Sequence, residues 1–266
     1  MSTGIYLFCL TPETTLPELK GTGIDVLHPL LTETIGDIAA IFSEVALEDF
    51  AGPEAQDRME DLAWIGPRAL RHEEVIMDVM EVGPVLPVRF GTVFSSLDAM
   101  KEPLRRHRAI LSKFFRETAG KKEWAFRGYV NMTQARTQVM AERLAAEKEQ
   151  LAGLTPGKRY FLEQRIKDAV NKEVACWLKG LGNQVVTSLQ DLSAAFRERR
   201  LLAKEVTGRE EEMFFHVALL VPDGSVAVLE GMTDEWNKLH EFQGISLELS
   251  GPWPPYHFAP VLDTQG

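Results

Sequence analysis

Six histidines and two cysteines are the side chains of this chain best suited to metal or nucleophilic chemistry. His28, His72, His107, His216, His240 and His257 include no pair four residues apart, and neither Cys9 nor Cys176 has the spacing of a zinc ligand. The run Arg71-His72-Glu73-Glu74 has the residue types of a metal or acid–base cluster. Adjacent residues on a helix point apart, so these four cannot converge on one ion, and a helix surface or a hydrogen-bonded His72 is expected instead. His216, on an apolar strand face, reads as a hydrogen-bonded core histidine. The stretch GKRY (157–160) lacks the second glycine and the hydroxyl residue of a phosphate loop, and no GxSxG nucleophile turn occurs. No catalytic residue, metal ligand or cofactor is therefore expected.

What stands out instead is suited to holding surfaces together. The segment GPWPPYHFAP (251–260) sets Trp253, Tyr256 and Phe258 among four prolines. Proline fixes the backbone extended, so the three rings are presented at little further entropic cost. Such a segment either packs on its own sheet or docks a partner. Arg89, pointing away from the apolar side of its strand, suits an ion pair between domains or a partner contact.

These residues need elements to position them. The chain has 266 residues, 45% apolar and 26% charged, which fits a globular protein of two domains. No apolar run approaches the ~20 residues of a membrane helix. The start, MSTGIYLFCLTPE, shows neither a basic n-region nor a cleavage-type site, so reduced, buried thiols in a cytoplasm are expected. Residues 1–100 carry 5 basic and 17 acidic side chains, 101–206 carry 22 and 12, and 207–266 carry 2 and 10, giving −12, +10 and −8. The total of −10 argues against nucleic acid and anionic membranes, while the alternation suits segments that attract one another or a partner.

The expected N-terminal α+β domain spans 1–120. It has strands at 4–10 and 38–47, a helix over 54–80 broken at Gly66-Pro67, a strand at 85–94 that Pro87 confines to an edge or a bulge, and a basic helix over 97–119. Leu104, Ile110, Leu111, Phe114 and Phe115 make an apolar stripe on that helix, leaving its arginines solvated rather than bound to nucleic acid.

The expected C-terminal domain spans 121–266. A strand at 123–132 leads into a helical hairpin at about 133–198, with Thr133 as the first cap, a turn at LAGLTPGK, and a bend at Gly180 and Gly182. RRLLAKEVTG reads as a short strand, MFFHVALLVPDG as a strong one, 226–242 as a helix and ISLELSG as a closing strand. The order β, α-hairpin, β, β, α, β is the ferredoxin-like one. In the strong strand Phe214, Ala218 and Leu220 make the second face apolar too, which calls for a cover from another segment or molecule.

VLPVRFGTVF (85–94), PGKRYFL (156–162), FHVALLVP (215–222) and SGPWPPYHF (250–258), with Trp64 and His72 before them, resemble the gas vesicle protein F/L family over residues 4–258. The Pro–Trp–Tyr order at the end is the most specific part. Pro67 departs from a helix that is usually uninterrupted in the family. The resemblance implies an α+β fold of two domains with a ferredoxin-like second domain, and a non-enzymatic accessory or assembly protein without a cofactor. It also implies a cytoplasmic, gas-vesicle location and contact with the small, very hydrophobic shell protein A, which such proteins are thought to keep from aggregating during nucleation. Other accessory proteins are the alternative partners. On this reading Trp253, Tyr256, Phe258, Arg89 and Phe214 are the partner-binding candidates. A small-molecule-binding ferredoxin-like domain is the third reading, and requires a closed polar pocket.

Overall fold

The computed structural model describes residues 2–146 and 155–262. Helices and antiparallel sheet are mixed, and the contacts divide the chain into two units. One runs to Glu123 and regains the chain from Pro252 on; the other is Trp124–Gly251. The closing segment, expected with the second domain, is thus grouped with the first.

In the first unit β1 (Thr3–Pro12) is central, with β2 (Leu31–Ile35), β3 (Ile38–Ala46), β4 (Leu86–Pro87) and β5 (Val93–Phe94) around it. The order is β2-β3-β1-β4, with β5 also on β1. β1 and β3 pair antiparallel from Thr3–Ala46 to Pro12–Ile38, and the register shifts between Leu7 and Cys9. That bulge turns Phe8 and Cys9 to the same side, because an extra residue breaks the two-residue alternation. Ile5, Leu7 and Leu10 meet α3 (Leu97–Arg106) and α4 (Arg108–Thr118), while Tyr6, Phe8 and Cys9 meet α2 (Leu62–Val82). Both faces are covered, which is why β1 reads as a continuous apolar run.

Four details differ from the sequence reading. The helix over 54–80 breaks at Asp61, between α1 (Pro53–Glu60) and α2, and not at Gly66-Pro67. Asp61 is extended and its side chain accepts the Ala63 N–H, an N-cap that fixes the break, while Pro67 lies close enough to the start that only one ladder bond is lost. The strand at 85–94 is two short pieces separated by a turn in which Gly91 has φ 80° and Thr92 bonds back to Arg89. β2 was not foreseen at all, and the basic helix divides at His107.

In the second unit β6 (Lys121–Val130), β7 (Ala195–Glu198), β8 (Glu212–Pro222) and β9 (Ile245–Trp253) lie in the order β7-β8-β6-β9. α5 (Met132–Ala146) and α6 (Pro156–Gln190) form the hairpin, α7 (Lys204–Thr207) is a single turn, and α8 (Val226–His240) precedes β9. Asn131, not Thr133, caps α5, its Oδ1 accepting the Gln134 N–H at 3.0 Å. The LAGLTPGK turn falls largely outside the described residues. α6 passes through Gly180 and Gly182 uninterrupted, and it stops at Gln190, short of Leu192 and Phe196. RRLLAKEVTG contains no strand; the strand is AFRE just before it, drawn onto β8 with Ala195 opposite Leu220 and Glu198 opposite Val217. Edge pairing overrode helix propensity there. On the outer side of β9, Asn237 of α8 donates to the Leu247 carbonyl at 2.9 Å and accepts its N–H at 2.6 Å, standing in for a neighbouring strand.

Candidate functional site

Tyr6 and His72 form a polar pair inside the first unit. The Tyr6 hydroxyl donates to His72 Nδ1 at 2.9 Å, His72 Nε2–H donates to the Val88 carbonyl at 2.9 Å, and the Gly91 N–H donates to the Tyr6 oxygen at 3.2 Å. Phe8 stacks on the imidazole, and Phe90 meets it edge-on. Burial therefore holds His72 neutral, pushing its pKa down to about 4 against the opposing pull of the Val88 carbonyl. Burial likewise raises the Tyr6 phenol far above its usual range. Every polar atom of the pair is used in fastening the 88–91 turn to β1 and α2. That is a structural role, and His72 is fully buried rather than at a helix surface.

The closing segment docks beside this pair. Tyr256 packs with the cluster under α2 and donates its hydroxyl to Glu73 Oε1 at 2.6 Å. Burial, and then that carboxylate, push the Tyr256 phenol up. Phe258, Ala259 and Leu262 pack with the other cluster, on the α3–α4 side of the sheet. Between them His257 bonds the buried carboxylate of Glu123 twice, by its backbone N–H to Oε2 at 2.9 Å and by Nδ1 to Oε1. Glu73, read above only as part of a helix-surface run, and Glu123, which the sequence reading does not single out, are thus the acceptors that fix the tail. The available signal was an acidic residue at the head of an apolar strand, Glu123 directly before Trp124-Ala125-Phe126.

The second face of the other sheet is not bare. Ala218 and Leu220 are buried, and beside them Arg127 donates to Glu248 at 3.0 Å and to Ser250 at 2.9 Å. Arg209 shares Glu248 and lies 4.3 Å over the Tyr129 ring. Phe214 is packed against the main core, its ring where a side chain on Gly128 would project. Ala218 and Leu220 are therefore not displayed as an exposed apolar face, and β6 and β9 contribute the ion-paired Arg127 and Glu248 to the same sheet. His216 bonds the Arg200 carbonyl at 3.0 Å, as a satisfied strand histidine.

Of the five partner-binding candidates, Trp253 (46% exposed) and Arg89 reach solvent; Tyr256, Phe258 and Phe214 are at least partly buried. The cysteines differ from expectation as well. Cys9 is buried, which pushes its thiol far up, but Cys176 is exposed on α6.

Two concavities lie on the helical hairpin. A groove of about 480 Å³ is floored by Met140 and Val170 and rimmed by Arg136, Lys167, Thr137 and Asn171. A smaller one of about 210 Å³ is lined by Val139, Trp177, Glu142 and Glu173. Neither gathers a nucleophile, base and orienting group, and no set of three metal-ligating side chains occurs among the described residues. No described helix is long and apolar enough to cross a membrane.

These features define a mixed helix-and-sheet protein whose polar side chains mainly secure turns, strand edges and the tail, with an amphipathic groove as its open surface. The chain belongs to the gas vesicle synthesis protein GvpL/GvpF family, whose model matches residues 4–260. It is 25% identical to gas vesicle protein L2 of Halobacterium salinarum, covering 99% of this chain and 94% of that one. It is 24% identical to gas vesicle protein L of a Streptomyces species, over 86% and 82%. The crystal structure of gas vesicle protein GvpF from Anabaena superposes with a TM-score of 0.72 at 17% identity, over 98% and 99% of the two chains, and so shows the fold. A gas vesicle accessory role follows from the family.

Proposed function

We propose that this protein is a non-enzymatic assembly factor that binds the hydrophobic shell protein of gas vesicles and keeps it from aggregating during nucleation. The observation that carries the proposal is the hairpin groove, with apolar Met140 and Val170 beneath cationic Arg136 and Lys167. An apolar floor takes up greasy side chains from water, and a charged rim selects acidic flanks and speeds encounter. The groove lies in residues 101–206, where basic side chains exceed acidic ones by ten. Trp253 and Arg89 are further contact candidates. Tyr256, Phe258 and Phe214 act through packing, by holding the presenting surfaces in place. The strand order β7-β8-β6-β9 supports the ferredoxin-like reading of the second unit, which would be the platform for the hairpin. Its place of work is the cytoplasm, where shell subunits are made and assembled.

The test is co-purification with tagged shell protein, with turbidity of the shell protein as a second readout. Retention at low salt that weakens at moderate salt, and suppressed turbidity, are expected. Charge reversal at Arg136 and Lys167 should abolish both. No retention at either salt would refute the proposal.

A further inference from the structure

The tip of α6 carries the motif PGKRYFL, and no role described above uses its rings. Tyr160 and Phe161 are 62% and 71% exposed and lie edge to face, their centroids 6.0 Å apart. Lys158, Arg159 and Arg165 surround them, all exposed. Basic side chains in the first turn of a helix oppose the positive end of its dipole, and α6 has no acidic residue there. The tip is therefore locally unfavourable in its exposed rings, and Lys158 in the first turn adds charge against the dipole.

The first half of α2 is its complement. Leu62, Gly66 and Leu70 recur at four-residue steps on the side of the helix away from His72, and Leu62 and Leu70 are 83% and 63% exposed. Ala63 and Gly66 lower the surface between the leucines, leaving room for a ring. Exposed Glu60, Asp61 and Asp78 flank the stripe. The basic groups of this stretch are turned to other tasks: Arg68 lies over the Trp64 ring, and Arg71 donates to the Thr22 carbonyl and to Glu74.

We infer that the α2 stripe of one copy receives the α6 tip of a second copy, so that the protein self-associates head to tail. Tyr160 and Phe161 seat between Leu62 and Leu70, and the basic collar meets the acidic flank. The charge alternation along the sequence, −12 before residue 101 and +10 from 101 to 206, is the large-scale form of the same complementarity. Because the two patches differ, a pair keeps one free stripe on one copy and one free tip on the other, and association propagates into chains or closes into a ring. This surface is separate from the hairpin groove, and the inference stands whether or not that groove binds the shell protein.

Sedimentation velocity on the full-length protein tests it. Association is expected to rise with concentration beyond the dimer and to fall as salt is raised. Leu70→Glu and Phe161→Ser, both at exposed positions and checked for native circular dichroism, should each weaken it by about tenfold or more, as expected for loss of a central interface side chain. A mixture of the two variants should then form a one-to-one dimer and stop there, since only one good stripe and one good tip remain. A wild-type protein that stays monomeric throughout would overturn the inference. So would association that survives both substitutions, or variants that associate no better mixed than apart.

Discussion

At the scale of single residues, the determining fact is that the polar pairs which fasten the first unit join segments far apart in sequence. Tyr6 and His72 are 66 positions apart, and Glu123 and His257 are 134 apart. A histidine held at a pKa of about 4, against about 6.5 when the chain is unfolded, makes stability depend on pH with a definite sign. Between those values the unfolded chain binds a proton that the folded chain refuses. Stability is therefore whole above pH 6.5 and is lost as pH falls towards 4, by about 3 kcal/mol from this site at most. Urea unfolding midpoints from pH 7 to pH 4 should show the decline. His72→Gln should be less stable at pH 7 but should have a distinctly shallower slope; an unchanged slope would remove His72 as the cause. Residue types are legible here without their company, so His72 reads from sequence as hydrogen-bonded but not as the hub of the 88–91 turn.

At the scale of elements, hydrophobic period identified most of the helices and the long strands. β1, β3, β8 and β9 are apolar at the expected positions, and α2, α4, α6 and α8 show their stripes. The misses share one cause. AFRE, LTETI and the pieces of VLPVRFGTVF are strands because a neighbour supplies hydrogen-bond partners, and no local pattern of two to five residues reports a neighbour. Asn237 shows the converse, a helix residue serving a sheet edge. Its amide satisfies both backbone groups of Leu247, which would otherwise sit partly buried and open to pairing with another chain. Asn237→Ala should cost about 1–3 kcal/mol in chemical unfolding, since it strands a donor and an acceptor. A loss within error would mean that water replaces the amide, and the edge-guarding role would fall.

At the scale of the whole molecule, the first unit is built from two stretches of chain, and residues 252–262 complete it. The tail supplies Tyr256 to one cluster, Phe258 to the other, and both described hydrogen bonds to Glu123. Ending the chain after Gly251 should leave Glu123 buried without these partners and both clusters uncovered, a loss of about 3–5 kcal/mol by comparison with other large core deletions. Hydrogen exchange should report it, with amides of β1, β4 and α2 losing protection while those of α6 and β8 keep theirs. Equal loss in both sets would mean that the two units do not unfold separately.

The residue order alone settled the α+β class, the amphipathic helices, the charge alternation and, through four short motifs, the family, because each of these is written in neighbours along the chain. Only the tertiary structure decided that the proline-rich tail packs Tyr256 and Phe258 into the clusters built by the start of the chain, that Ala218 and Leu220 on the second sheet face are buried rather than exposed, and where the open groove lies. The physical reason is common to all three: burial and hydrogen-bond satisfaction are properties of what surrounds a group in space, and one-dimensional spacing fixes which groups must find partners without fixing which partners they find.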